Sequence, residues 1–200
     1  MWLRDSLPHD LPGARIMLYG YDTKVSGSDS FQDLEALATT LRSHLQILAA
    51  WKAESRTVPL IFIAHSLGGL VVKEAIIQLK RDPGHQAILA SIYGALFFGV
   101  PNQGMDIKSL VAMVKGQPNQ ALIYLLDPES QVLREQSRHF QESFDSPDSK
   151  VVCFYETLKS PTAKQISLVS VMPIDSRFNS ELFPGWKTMA NDRAPNYLSK

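Results

Sequence analysis

Residues 59–73 read PLIFIAHSLGGLVVK, and the fold turns on how this stretch is parsed. Leu60-Ile61-Phe62-Ile63 is an apolar run without a charge. Such a run suits a strand buried on both faces of a sheet. Ala64-His65-Ser66-Leu67-Gly68-Gly69 follows, rich in small residues, and then Leu70-Val71-Val72-Lys73-Glu74-Ala75-Ile76-Ile77, which can wind into a helix. A strand, a tight turn with a central serine and a helix together form a nucleophile elbow.

The residue types match what that turn has to do. A serine hydroxyl is a weak nucleophile unless it is exposed and beside a base. The turn lifts the Ser66 hydroxyl above the sheet, and small neighbours let helix and strand approach. The helix N-terminus favours negative charge, and the backbone N–H of Leu67 is placed to donate to an oxyanion. The usual pattern is G-x-S-x-G; here Ala64 stands for the first glycine and is still small.

Outward from this stretch, strands and helices alternate. Toward the N-terminus, residues 14–21 (ARIMLYGY) read as a strand and residues 22–30 as a loop. Ser30 is placed to cap a helix with Asp33 in its first turn. Leu34, Leu37, Ala38, Leu41, Leu45 and Leu48 recur at steps of three and four, so one face of that helix is buried. Toward the C-terminus, residues 81–84 (RDPG) stop the elbow helix. Residues 91–100 form the next strand, and it ends in the turn Pro101-Asn102-Gln103-Gly104. Carboxyl ends of strands are where open α/β sheets keep their sites.

Residues 105–145 read as a helical insertion, either a lid or a connecting helix pair. Asp127 and Pro128 make a helix start, with Leu133, Ser137, Phe140 and Phe144 on one face. Residues 150–155 form a further strand ending at Glu156, and residues 166–172 a candidate fifth. The expected domain therefore spans residues 1–172, and residues 173–200 form an aperiodic tail of loop or disorder. Alternating strands and helices predict a mostly parallel sheet with helices on both faces, an α/β-hydrolase architecture.

Composition bounds the function. The 200 residues suffice for one domain with a core; 44% are hydrophobic and 20% charged, an ordinary globular balance. Twenty basic and twenty acidic residues cancel, which gives no support for nucleic acid or a polybasic membrane anchor as a partner. The single Cys153 excludes an internal disulfide and any multi-cysteine metal site. No apolar run is long enough to cross a bilayer, and the N-terminus lacks the apolar core of a secretory signal. A cytoplasmic location is the default expectation, and no metal or organic cofactor is implied.

The segments WLRDSLPHDLPGARIMLYGYD, PLIFIAHSLGGLVVKEAI, YGALFFGVPNQG and CFYET, in this order and spacing, resemble the serine-esterase family. That family includes the mitochondrial serine active-site-containing protein and yeast ROG-type lipases, and the likeness is greatest to the fungal form that precedes NACHT or NB-ARC ATPase modules and repeats. The resemblance covers residues 2–157. It implies ester or lipid hydrolysis, with Ser66 as nucleophile, Leu67 as one oxyanion donor and Glu156 as the acid that orients a histidine. Asp127 and Asp145, in or beside the insertion, are poorer candidates for the acid. It also allows ATPase or repeat modules in a longer gene product, and mitochondrial or endoplasmic-reticulum association.

Two departures stand out. Family members carry a His-Gly-type loop, the source of the second oxyanion donor, upstream of the segment that begins here at Trp2. The order Ser, acid, His requires a histidine after Glu156. The five histidines are His9, His44, His65, His85 and His139, and all precede it. The sequence therefore predicts a serine-hydrolase domain that is catalytically incomplete over these residues. The competing expectations are a non-catalytic signalling or interaction module, and a gene-model fragment of a larger NACHT-type protein.

Overall fold

The computed structural model describes residues 2–50, 58–144, 149–156 and 186–190. The candidate fifth strand at 166–172 and the candidate acid Asp145 lie outside the described residues.

The sheet has β1 (Leu60–His65), β2 (Ile92–Phe98), β3 (Lys150–Glu156) and β4 (Trp186–Ala190) in the order β1-β2-β3-β4. The first three run parallel, and β4 pairs antiparallel to β3. The expectation of an aperiodic tail over 173–200 is therefore corrected at Trp186–Ala190. The reason is that a strand edge offers backbone donors and acceptors, which need no side-chain period to be paired.

Among the helices, α1 (Trp2–Asp5) and α2 (Leu7–Asp10) are single turns, followed by α3 (Leu34–Ala50) and α4 (Leu67–Arg81). Next come α5 (Gln86–Ser91), α6 (Lys108–Val114), α7 (Gln120–Tyr124) and α8 (Gln131–Ser143). The apolar stripe of α3 packs on α4, and Leu37, Ala38 and Leu41 are buried with Leu70, Val71 and Ile77. Asp33, not Ser30, caps α3, accepting from the Ala36 N–H at 2.8 Å. Likewise α8 begins at Gln131 with Ser130 as cap; Asp127 instead forms a turn, its carboxylate accepting from the Glu129 N–H at 2.8 Å.

The register sorts the sheet into two faces. Phe62, Ala95 and Val151 align, as do Ala64, Phe97 and Cys153, and these side chains join the core beneath α4 and α8. Ile61, Ile63 and Tyr93 are about half exposed: 51%, 48% and 48% of their surface meets solvent. The expectation that β1 is buried on both faces is thus corrected; its burial alternates. Ladder pairing turns successive side chains to opposite faces, whatever their polarity.

Residues 14–21 form no strand, contrary to expectation. They join no ladder, and two tyrosines hold them instead. Tyr19 donates its hydroxyl to the Leu37 carbonyl at 3.3 Å and lies edge-on to His44, with Tyr21 beside it. Ile16, Met17 and Leu18 are exposed.

The insertion divides in two. Helix α8 belongs to the fold: Phe140 meets Phe97 edge-on, and Gln136 donates to the Leu70 carbonyl at 3.2 Å and to Glu74 at 3.0 Å. Helices α6 and α7 pack on each other, and their connection is stitched to the loop after Tyr21. Asn119 donates to the carbonyls of Lys24 and Val25, both at 2.9 Å, and Gln117 accepts from the Gly27 N–H at 2.7 Å. Within that loop Ser28 is buried and donates to Asp22, which also accepts from the Lys24 N–H. These two bonds hold the Asp22 carboxyl below its usual range.

Candidate active site

Ser66 sits between the end of β1 and the start of α4 with φ 50° and ψ −128°. Among the described residues it is the one non-glycine with positive φ. A side chain there is strained, and two anchors hold the turn: the Ser66 N–H donates to the Phe98 carbonyl at 2.9 Å, and the Gly69 N–H donates to the Ser66 carbonyl at 3.0 Å. The Ser66 side chain makes no helix-capping bond, although it occupies the cap position. Leu67 is the first residue of α4, so its N–H has no intrahelical acceptor.

Of the two glycines after Ser66, Gly69 is required by close approach. A Cβ on Gly69 would come within 2.1 Å of Val100 Cγ2. Gly68 has more room: the Tyr21 hydroxyl would be in ordinary contact, 3.5 Å, with a Cβ there. Burial, followed by the neighbouring Tyr19, pushes the Tyr21 phenol above its ordinary value.

Beside the Ser66 turn runs the turn after β2. Gly99 has φ 54° and donates its N–H to the Phe154 carbonyl at 2.8 Å. The Gly104 N–H donates to the Pro101 carbonyl at 3.1 Å, and the Met105 N–H to the Leu126 carbonyl at 2.7 Å. Gly104 has φ 77°, and a Cβ there would lie 2.5 Å from the Asp127 carbonyl oxygen. That contact places Asp127 against the wall of the turn, where its side chain is spent on the Glu129 N–H.

Lys73 lies on the core side of α4 and is 2% exposed. Its ammonium donates to the Asn102 side-chain oxygen and stands over two rings, 5.3 Å from the Phe97 centroid and 5.1 Å from that of Phe140. Burial lowers its pKa from 10.5 to about 8, opposed by the nearby Cys153, whose own thiol burial pushes up. The sequence marks Asn102 only as part of a turn and does not mark Lys73 as a site residue. The signal available was a lysine at an inward position of a helix otherwise filled there by Val, Ala and Ile.

Glu156 is the last residue of β3. β1, β2 and β3 are parallel, with His65, Phe98 and Phe154 level across the sheet, so Ser66 and Glu156 leave the same edge, one strand apart from each other. Two strand spacings put them about 10 Å apart along that edge. The histidines are scattered. His65 ends β1 and is exposed. His85 pairs with Asp82 at 2.7 Å just past α4, and His139 of α8 meets Arg81, the last residue of α4, at 3.3 Å. That helix is 15 residues long. At about 1.5 Å per residue it holds them roughly 20 Å from Ser66. His9 pairs with Asp10 on the surface, and His44 lies against Tyr19. Among the described residues no group of His, Cys, Asp and Glu is arranged to hold a metal ion.

The profile of the family described as "Putative serine esterase (DUF676)" matches residues 3–105, just over half of the chain, and these contain β1, the Ser66 turn, α4 and β2. The chain belongs to the DUF676 serine esterase family. Its match leaves out α6 to α8, β3 and Glu156. Protein SERAC1 of Bos taurus is 26% identical over 176 residues, covering 88% of this chain and 27% of its own. Protein SERAC1 of Danio rerio is 28% identical over 182 residues, 85% of this chain and 26% of its own. The chain thus spans about a quarter of the length of the curated relatives it matches. Among solved structures, phospholipase PlaB from Legionella pneumophila in complex with thio-NAD superposes with a TM-score of 0.52 at 15% identity, over 70% of this chain and 30% of that one. A second PlaB structure gives 0.50. These likenesses show an α/β-hydrolase-like fold. No helix among the described residues is long and apolar enough to cross a membrane.

Proposed function

We propose that this DUF676 domain hydrolyses carboxylic esters, lipid esters among them, with Ser66 as the nucleophile. The observation that carries the reading is the strained Ser66 turn between β1 and the N-terminus of α4. Such strain in a side chain free of any capping bond serves reactivity better than it serves folding. Ser66 Oγ attacks the ester carbonyl as an imidazole takes its proton, and the Leu67 N–H donates to the oxygen that gains charge. The alcohol leaves with that proton, and water then releases the acid from the acyl-serine. Glu156, about two strand spacings along the same edge, suits an acid that acts through an imidazole between it and Ser66. The phospholipase among the structural neighbours supports a lipid ester as one substrate class.

The imidazole itself does not follow Glu156 in these 200 residues. In subtilisin, loss of the histidine alone costs on the order of a million-fold in turnover, and one oxyanion donor is worth roughly a hundred-fold or more. Residues 1–200 by themselves are therefore expected neither to hydrolyse esters through Ser66 nor to label there with a fluorophosphonate probe. A longer chain that adds an upstream oxyanion loop and a downstream histidine should label, and Ser66→Ala should abolish it. Strong labelling of residues 1–200 at Ser66 would show the domain to be complete, with His65 as the first histidine to replace. If the longer chain also stays unlabelled, the second reading gains: a non-catalytic interaction module on the same fold.

A further inference from the structure

Lys73 stands out because stability alone does not account for it. The side chain is 2% exposed, and it makes no ion pair among the described residues. Burying an unpaired ammonium costs far more than burying a methionine of similar length. What the ammonium does instead is join two elements. It reaches from α4, seven residues beyond Ser66, to the Asn102 side chain, itself 7% exposed. Phe97 from β2 and Phe140 from α8 close around it, each offering a ring face to the charge.

Asn102 lies in the middle of the turn beside Ser66. That turn is gripped on its outer side by the Met105–Leu126 bond and the Gly104–Asp127 contact. On its inner side Val100 packs on Gly69, and the Lys73–Asn102 bond is the polar tie to the elbow helix. We propose that Lys73 is a positioning residue of the Ser66 site, its caged ammonium holding residues 99–105 against the elbow helix through Asn102. The inference rests on the reading of Ser66 as the working residue. It adds that the wall beside that residue is held by a buried charge rather than by packing alone.

Hydrogen exchange on residues 1–200 tests this, comparing wild type with Lys73→Met and Lys73→Met/Asn102→Leu. Methionine fills the same space without the charge, so the core stays filled. The amides of Gly104, Met105 and Ser66 should exchange at least tenfold faster in Lys73→Met, while those of Phe97 in β2 and Ile76 in α4 stay within twofold. The double variant should keep the fast exchange, since neither change restores the tie. A role in stability alone would move all these amides together, and that outcome overturns the inference. So does an unchanged rate at Gly104 and Met105. If Lys73→Met does not fold, Asn102→Leu alone carries the same comparison, because it cuts the same tie from the side of the turn. Exchange needs no reaction at Ser66. A failure of Ser66 to label in any chain therefore counts against the hydrolase reading and leaves the exchange result to be judged separately.

Discussion

Ser66 carries its strain at one backbone position, and the strain can be measured. Its φ of 50° with ψ of −128° suits glycine and costs other residues about 1–3 kcal/mol. Glycine gives part of that back through a freer unfolded chain. Ser66→Gly is therefore expected to be roughly 1 kcal/mol more stable than Ser66→Ala in urea denaturation, since alanine keeps the strain. Equal stability of the two variants would remove the argument for strain. Lys73 sets a second residue-scale expectation. Its folded pKa is about 8 against an ordinary 10.5, so between those values the unfolded chain binds more protons and stability rises with pH. The penalty present below pH 8 is on the order of 3 kcal/mol. Cys153 acts in the opposite sense: burial pushes its thiol above the ordinary 9.0, so the unfolded chain loses that proton first and stability falls above about pH 9. Tyr19 and Tyr21, both raised by burial, add to the fall above pH 10. Unfolding free energy should therefore climb from pH 8 to 9 and then level or drop, and Lys73→Met should flatten the climb. A steady decline from pH 8 in the wild type would contradict the buried-charge account.

At the scale of elements, the insertion behaves as two bodies with different attachments. Helix α8 is tied to α4 by Gln136 and to β2 by Phe140, so it shares the core. Helices α6 and α7 are short, of seven and five residues, and are held to the neighbouring loop chiefly by Asn119 and Gln117. Both parts bury apolar side chains, Val114, Leu122 and Ile123 in α6–α7 and Leu133 and Phe140 in α8, but α8 packs broadly on α4 whereas α6 and α7 pack chiefly on each other. We propose that only the α6–α7 part can serve as a lid over Ser66. Its amides should exchange at least tenfold faster than those of α8 and β2, as read by hydrogen exchange with peptide resolution. Equal protection along residues 108–143 would mean a packed connector throughout.

The whole molecule presents one well-covered sheet face and one with half-exposed Ile61, Ile63 and Tyr93. β1 is also the outer strand of the described sheet, so its far edge has no ladder partner there. Bare edges beside apolar side chains invite association. Residues 1–200 are expected to self-associate with rising concentration in light scattering, and Ile61→Lys/Ile63→Lys to suppress it. A monomeric, highly cooperative, high-melting chain would count against this picture.

Sequence by itself determined what local chemistry dictates. The uncharged run before Ser66, the small residues around it and the three-and-four spacing after residue 33 sufficed for β1, the tight turn, α4 and α3, because each is specified within a few residues of itself. The same local logic misplaced residues 14–21, whose apolar run Ile16–Tyr19 suits a strand but whose strand state depends on a partner elsewhere in the chain. It also missed Trp186–Ala190, where the edge of β3 supplies what the side-chain pattern does not. The helix starts at Asp33 and Ser130 differ from those expected because several capping residues stand side by side, and only the backbone path selects one. Tertiary structure alone brought Lys73 to Asn102 across 29 residues and closed Phe97 and Phe140 around it, since an ammonium's cost and its partners are set by burial, which no local pattern records.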